Sequence, residues 1–221
     1  MKNSILLLSV FLFSVNTFSQ LKGSGKTNVQ TFNYTNFDKI NLSDVDGIFE
    51  VQVGKPFGIS VTIDNNLAPL LVVENNASNN ELFISLKGNR NNKLYIEDTK
   101  IKIKITLPAL IAITNDSNGS LNITNIAGSY LKIETLDNGS TTASGTIINL
   151  EIKNTGNGVL NAENLFAKNA KIQTSGNGNA IVNVSELITA KTSGNNSVIN
   201  IGKAKFSTES KSSGNSRFVN Q

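Results

Sequence analysis

Residues 150–195 read LEIKNTGNGVLNAENLFAKNAKIQTSGNGNAIVNVSELITAKTSGN and contain one short signature three times. The three copies begin as NTGNGV at 154, TSGNGN at 174 and TSGNNS at 192. Related copies lie outside this stretch, as LDNGS at 136, SSGNSR at 212 and a weaker NDSNGS at 115. Self-similarity at a fixed interval is typical of repeat architectures, so this signature is the strongest indication of the fold.

One asparagine of each signature marks the interval. The six aligned residues are separated by 20, 19, 20, 18 and 20 positions, and they are Asn118, Asn138, Asn157, Asn177, Asn195 and Asn215. Alternating apolar and polar residues precede the signatures, as in 131–135 and 170–174, and follow them, as in 180–184. The repeat unit is therefore predicted to be strand, Gly-Asn turn, strand and looser turn.

Stacking explains why such a unit would recur. A single hairpin of this size cannot bury its apolar face, whereas stacked copies form a continuous core. A coil of about 20 residues, at about 3.3 Å per residue, fits one circuit of a narrow β-solenoid. A β-meander or β-sandwich would also give short strands, but neither requires the same turn residues at a constant interval. The solenoid is therefore the preferred interpretation.

The signature residues are interpreted as structural turn residues. Stacked coils place equivalent asparagines about 4.8 Å apart, where their amides can hydrogen-bond in a ladder. Glycine readily adopts left-handed backbone, which the corner is expected to need at Gly156, Gly158, Gly176, Gly178, Gly194 and Gly214. The high content of asparagine, 34 of 221 residues, agrees with many tight turns.

The N-terminal half has no such repeat but is also predicted to be β-structure. Apolar and polar residues alternate in 48–53, 59–63, 82–86 and 101–105, with Asn and Gly between these runs. No helical periodicity is sustained, and only 67–71 is expected to form one short helical turn. The predicted fold class is thus all-β, a single β-solenoid with coils of roughly 20 residues and an N-terminal β region continuous with it.

The first residues predict export. Lys2 precedes an apolar stretch, 5–15, and Thr17 and Ser19 suit cleavage before Gln20. That stretch is shorter than the about 20 residues needed to span a bilayer, and a buried strand is the alternative. Residues 1–19 are therefore predicted to be a signal peptide, 20–36 an extension and 37–221 the solenoid domain, with repeat coils over about 111–221. The expected location is the periplasm, the cell surface or the medium, without a lipid anchor or a membrane span.

Composition excludes several classes of function. The chain has no Cys and no His, which excludes disulfides, thiol catalysis, the usual zinc sites and His-dependent serine hydrolases. The net charge is +4 and comes almost entirely from Lys, since Arg occurs only at Arg90 and Arg217. Nucleic-acid recognition favours Arg and stacking aromatic residues, which are not clustered here. No nucleic acid, cofactor or metal is therefore expected.

A carbohydrate-active enzyme is the alternative function, because a lyase or a glycosidase needs clustered carboxylates. The candidates in the N-terminal half are Asp44, Asp46 and Glu50, with Glu97 and Asp98 in one loop. Asp44 and Asp46 before a glycine also suggest calcium, although a turn is the simpler interpretation. The acids of the repeats are expected to pair with Lys on a solvated face, namely Glu134, Glu151, Glu163, Glu186 and Glu209.

The order of the motifs resembles a known family. FDKINLSDVDGIFEVQVG at 37 is followed by GISVTIDNNL at 58, ELFISL at 81, KIKITLPALIAI at 102 and then the NGS and GNG turns. This order is similar to that of the GIN domain, the head of a class of auto-transporter adhesins, over about 37–219. The resemblance implies an exported, β-helix-like protein of a Bacteroidetes-type bacterium with a role in adhesion. It carries over no catalytic residue.

The expected function is therefore a non-enzymatic binding or adhesion module at the cell envelope. Rows of Thr, Ser, Asn and Lys on a long regular surface suit an extended glycan or another envelope protein as partner. The last coil, with Phe218 and Val219, would leave an open solenoid end unless it is capped. Because open ends are templates for edge pairing, self-association through that end is expected.

Overall fold

The computed structural model describes residues 20–88 and 95–221, and the predicted signal peptide lies outside these residues. The described chain is almost entirely β-structure, with one turn of 3-10 helix at Ala68–Leu70, where the sequence predicted a short helical turn. No helix of the described residues has both the length and the apolar character needed to cross a membrane. The prediction of an all-β chain is confirmed.

The N-terminal half forms nine short strands. They are β1 Gln20–Lys22, β2 Thr27–Phe32, β3 Lys39–Ser43, β4 Ile48–Val53, β5 Gly58–Asp64, β6 Leu71–Asn76, β7 Glu81–Leu86, β8 Tyr95–Glu97 and β9 Lys102–Leu107. β3 and β4 pair in parallel with strands of the repeats, so this half continues the same stack. The pairs β2–β5, β5–β9 and β6–β7 are antiparallel, and they close the stack at this end.

The C-terminal half is a regular parallel stack. Its strands are β10 Ala112–Asp116, β11 Ser120–Leu136, β12 Ser140–Gly156, β13 Leu160–Gly176, β14 Ala180–Gly194, β15 Ser197–Asn200, β16 Lys211–Ser212 and β17 Arg217–Asn220. Equivalent residues of successive coils are paired, as in the series Leu131, Leu150, Ala170 and Ile188. The stack confirms the predicted β-solenoid with coils of about 20 residues.

The looser turn of the predicted repeat unit is an irregular bend inside one continuous strand, not a break between two strands. The backbone passes the second bend without leaving the ladder, so each coil from β11 to β13 is a single 17-residue strand. The bend is made by irregular pairing, for example between Ile123 and Ile126 of β11. Gly145 sits at this bend with a φ of 135°, and a Cβ there would lie 2.2 Å from the carbonyl oxygen of Ile126. The strands therefore continue past the bend, although the register shifts there and Asn125 adopts left-handed backbone with a φ of 60°.

Apolar rows fill the interior from one end to the other. Ile133, Ile152 and Ile172 are completely buried and lie above one another in register. The last coil covers the end of this core, because Phe206 and Phe218 stack with ring centroids 4.7 Å apart and pack against it. The core at the C-terminal end is consequently shielded, and the expectation of an open end holds only for the backbone edge of β17.

Candidate binding face

The signature asparagines lie at an exposed corner of the solenoid. Asn138 donates from Nδ2 to Oδ1 of Asn118 at 3.0 Å, and the same contact joins Asn157 to Asn138 and Asn177 to Asn157 at 2.7 Å. Along the same corner, the backbone N–H groups of Asn195 and Asn215 donate to the carbonyl oxygens of Gly176 and Gly194, both at 2.9 Å. The side-chain amides of the first four asparagines are thus engaged with one another, whereas the last two are held through their backbone.

The glycines of the signature fall into two groups. Gly156, Gly176, Gly194 and Gly214 have φ values of 93°, 92°, 96° and 70°, as the sequence predicted for a left-handed corner. The prediction is wrong for Gly158 and Gly178, whose φ lies outside this range. A Cβ on Gly158 would lie 1.9 Å from the carbonyl oxygen of Gly139, and one on Gly178 would lie 1.8 Å from that of Gly158. Close stacking of the coils, not backbone conformation, requires these two glycines.

A buried polar column, which was not predicted from the sequence, stands directly behind the corner. It consists of the residues three positions before the aligned asparagines, which are Asn115, Thr135, Asn154, Thr174 and Thr192. Asn154 donates from Nδ2 to the carbonyl oxygens of Gly158 and Gly178 at 3.0 and 3.2 Å. The sequence did carry a signal for this column, because a polar residue recurs three positions before the aligned asparagines, where the inward-facing residues of the strand are otherwise apolar. Asn115 and Asn154 of the column donate to carbonyl oxygens of the corner, whereas its threonines bond to other buried side chains.

The strands that lead into the corner present a column of long polar side chains on their outer surface. Lys153, Gln173, Lys191 and Lys211 are paired in register on four successive coils. Two positions further along, Thr155, Ser175 and Ser193 form a second column, and Ser213 follows it on the last coil. The two columns flank a shallow depression of about 680 Å³, and together they are called the lysine face.

On the earlier coils, acidic residues occupy this surface beside the lysines. Glu134 is the register neighbour of Lys153, and it forms ion pairs with Lys132 at 3.2 Å and with Lys153 at 3.4 Å. Burial acts to raise the pKa of Glu134, but the hydrogen bonds and positive charges of the two lysines outweigh it, so the pKa lies below its ordinary value. Glu151 accepts a hydrogen bond from the hydroxyl of Tyr130 at 2.9 Å.

The carboxylates considered for catalysis have structural contacts. Asp46 accepts the backbone N–H of Asn118 at 2.9 Å and so ties the N-terminal half to the first corner. Glu50 is bridged by Lys102 at 2.6 Å and Lys104 at 3.6 Å, and the hydrogen bond from Lys102 is the main cause of its lowered pKa. Asp98 pairs with Lys22 at 3.2 Å, while Asp44 adopts left-handed backbone with a φ of 55°. Within 20–88 and 95–221, no three acidic residues converge in a way that could hold a metal ion.

A second outer surface, at the irregular bend of the long strands, carries exposed apolar side chains that the sequence did not single out. Phe166 is 58% exposed, and Tyr130, Ile148 and Leu187 lie on neighbouring positions of the same surface with comparable exposure. A depression of about 380 Å³ runs between Ile148 and Phe166. Lys168 and Glu186 form an exposed ion pair of 3.5 Å near these apolar side chains.

Several solved structures of Bacteroides and Parabacteroides proteins have a similar fold. A putative adhesin from Bacteroides fragilis is 24% identical, with a TM-score of 0.66 over 91% of this chain and 100% of its own. Putative adhesins from Parabacteroides merdae and Parabacteroides distasonis are 16% and 18% identical, both with a TM-score of 0.54, over 91% and 92% of this chain and 99% and 100% of their own. At these identities the similarity establishes the fold. None of the curated proteins matches the chain.

The family assignment comes from the sequence itself. A family model described as "Putative auto-transporter adhesin, head GIN domain" matches residues 36–204, which is more than half of the chain. The match includes the motifs on which the resemblance was noted and the corners from Asn118 to Asn195. The chain therefore belongs to the family of auto-transporter adhesin head GIN domains.

Proposed function

We propose that this protein is an exported, non-enzymatic adhesin head that binds an extended ligand at the cell envelope through the lysine face. The observation that carries the proposal is the register of this face, in which Lys153, Gln173, Lys191 and Lys211 repeat coil by coil beside a column of hydroxyl groups. A row of equivalent donors along an axis suits a ligand that is itself a chain, either a glycan or an extended segment of an envelope protein.

Export rests on the leader and on the family. Residues 1–19 combine a positive residue, a short apolar stretch and small residues before the cleavage point, which is the pattern of a signal peptide. Adhesin heads act outside the cytoplasm, and this chain belongs to such a family. Release of a protein beginning near Gln20 into the periplasm or the medium, measured by N-terminal sequencing, is the expected result. Retention of residues 1–19 would contradict it.

Binding and catalysis are separated by one paired assay. The purified exported protein is screened on a panel of extended glycans and envelope proteins, and every glycan that binds is then tested for chain cleavage. Binding without cleavage, weakened by Lys191→Gln, supports the proposal. Cleavage that is lost in Asp44→Asn or Asp46→Asn would support the carbohydrate-active alternative instead. Asp46 contacts Asn118, so the melting temperature of each variant is measured alongside.

Self-association through the last coil is a second part of the proposal. In the part of the chain that the structure describes, β17 pairs with β15 only. Arg217 and Gln221 donate their N–H groups to Asn196 and Asn200 at 3.2 and 3.0 Å, so alternation along the strand directs the N–H of Asn220 away from β15. Such an unpaired edge is a template for another strand.

The edge can be blocked at one atom. Proline lacks the N–H group, so Asn220→Pro should remove an outward donor while leaving the ladder to β15 in place. Asn220→Ala is the matched control, because it changes the same side chain but keeps the outward N–H group. Light scattering across a concentration series should show association that Asn220→Pro abolishes without lowering the melting temperature. A strict monomer at high concentration would refute this part.

A further inference from the structure

We propose that the ligand of the lysine face is an anionic polysaccharide, which lies along the solenoid axis with its acidic groups against the lysines of the last coils. The inference rests on the proposed function and specifies its ligand class. It comes from the distribution of charge on this face, from the position of Lys191 within the sheet and from the polar groups beside it.

The charge on this surface changes from balanced to positive along the axis. Glu134 balances Lys132 and Lys153 on the earlier coils, with N–O distances of 3.2 and 3.4 Å. On the later coils the outward positions of the lysine face hold Lys191 and Lys211, whereas Lys171 lies opposite Glu151 in the neighbouring column. Among residues 20–88 and 95–221, no carboxylate forms an ion pair with Lys191 or Lys211. The C-terminal part of the face is therefore a cationic surface without an internal counter-charge.

Two of these lysines are direct register neighbours. Lys191 of β14 and Lys211 of β16 lie opposite each other, and strands in a sheet are about 4.8 Å apart. Like charges placed directly opposite destabilise a sheet. The fold thus accepts a repulsion at this point, and an external anion would relieve it.

Protection of a sheet edge does not account for the arrangement. Lysines often mark exposed edge strands, where they prevent pairing with another chain. Lys211 lies in the two-residue strand β16 and fits that explanation. Lys191 does not, because it is paired with Gln173 on one side and with Lys211 on the other. Its position in the interior of the ladder favours a ligand-binding role.

The groups beside the lysines favour a polysaccharide over other polyanions. The hydroxyl groups of Thr155, Ser175 and Ser193 line the depression in register, and within the described chain none of them is used in a side-chain hydrogen bond. Such groups both donate to and accept from sugar hydroxyls. No aromatic side chain lines the depression, whereas single-stranded nucleic acids are bound largely by stacking on aromatic rings. Acidic sugars carry carboxylates that suit the column of lysines and hydroxyl groups that suit the column of Thr and Ser.

The test compares two double variants with the same change of charge. Lys191→Gln/Lys211→Gln alters the lysine face, whereas Lys203→Gln/Lys205→Gln alters two exposed lysines of the last coil that do not line the depression. The probes are polygalacturonate, a neutral dextran of similar length, poly-glutamate and a single-stranded oligonucleotide. Binding is measured by calorimetry or surface plasmon resonance at two salt concentrations, with melting temperatures as the folding control.

The expected result is binding of polygalacturonate that weakens about tenfold in Lys191→Gln/Lys211→Gln, equivalent to about 1.4 kcal/mol, and is unchanged in the control pair. Raising the salt from 0.05 to 0.5 M should weaken the wild type more than the altered face, because exposed charges are screened. Equal affinity of the wild type and the altered face for polygalacturonate would overturn the inference. Equal or tighter binding of poly-glutamate or the oligonucleotide would also overturn it.

The outcomes also separate this inference from the proposed function. If the wild type binds dextran rather than polygalacturonate, and Ser175→Ala or Ser193→Ala weakens that binding, the face is a glycan site but not an anionic one. If the wild type binds no glycan and no envelope protein of the panel, the proposed function itself fails.

Discussion

Replacement of Gly178 by alanine measures how much stability is lost when a close contact between two coils is crowded. A Cβ at this position would lie 1.8 Å from the carbonyl oxygen of Gly158 and 2.8 Å from its carbonyl carbon. An ordinary contact needs about 3.4 Å or more, so two backbones must separate by more than about 1 Å. Those backbones are held by hydrogen bonds, because Gly178 donates to the oxygen of Gly156 at 3.2 Å and accepts from Asn154 at 3.2 Å.

The magnitude follows from these contacts. Overpacking of a well-packed interior costs about 1–3 kcal/mol, and the upper end applies where backbone rather than a side-chain tip must move. In a domain of this size about 1 kcal/mol lowers the melting temperature by about 2–4 °C. Gly178→Ala should therefore lower it by about 6–12 °C in thermal unfolding followed by circular dichroism.

Gly54→Ala is the matched control for backbone strain without crowding. Gly54 has a φ of 80°, and a Cβ at this position would have open space within 4 Å. The left-handed conformation costs a non-glycine residue about 1–2 kcal/mol, so the expected decrease is about 2–8 °C. If Gly178→Ala destabilises the protein no more than Gly54→Ala does, the assignment of Gly178 to close stacking is refuted.

Three further changes test the corner and its surroundings. Asn157→Ala breaks the contacts to Asn138 and Asn177, both 2.7 Å, so it should lower the melting temperature and leave the affinity for glycans unchanged. If the free energy of glycan binding falls by more than the free energy of unfolding, the corner is a binding site. Asn154→Ala leaves buried carbonyl oxygens without donors and should lower the free energy of unfolding by about 1–3 kcal/mol in urea titrations, more than Asn157→Ala does. The pKa of Glu134 lies below its ordinary value of 4.5 in the folded state, so its contribution to stability is present above that value and is lost as the pH falls through the folded pKa. Glu134→Gln should consequently reduce the acid sensitivity of the melting temperature, whereas the exposed Glu163→Gln serves as the control.

The sequence indicated the solenoid because its repeat is local. Each coil contains its own alternating strand and its own corner, and the six aligned asparagines revealed the coil length before any contact was known. The sequence did not show why each glycine of the signature is required. Gly156 and Gly158 occupy the same signature, yet one is required by its φ of 93° and the other by an oxygen 1.9 Å from a built Cβ. Sequence spacing does not distinguish a strained backbone from a neighbour that lies too close.

By itself the sequence determined the β-structure, the coil of about 20 residues and the positions of the corners, because these depend on residues close together along the chain. Only the tertiary structure decided how the coils pair at the second bend and what covers the end of the core. The register changes between Ala162 and Phe166 at that bend, and Phe206 stacks on Phe218 over the end of the core. Differences in coil length are absorbed at the bend by pairing between residues about 20 positions apart, which no local pattern of the sequence specifies.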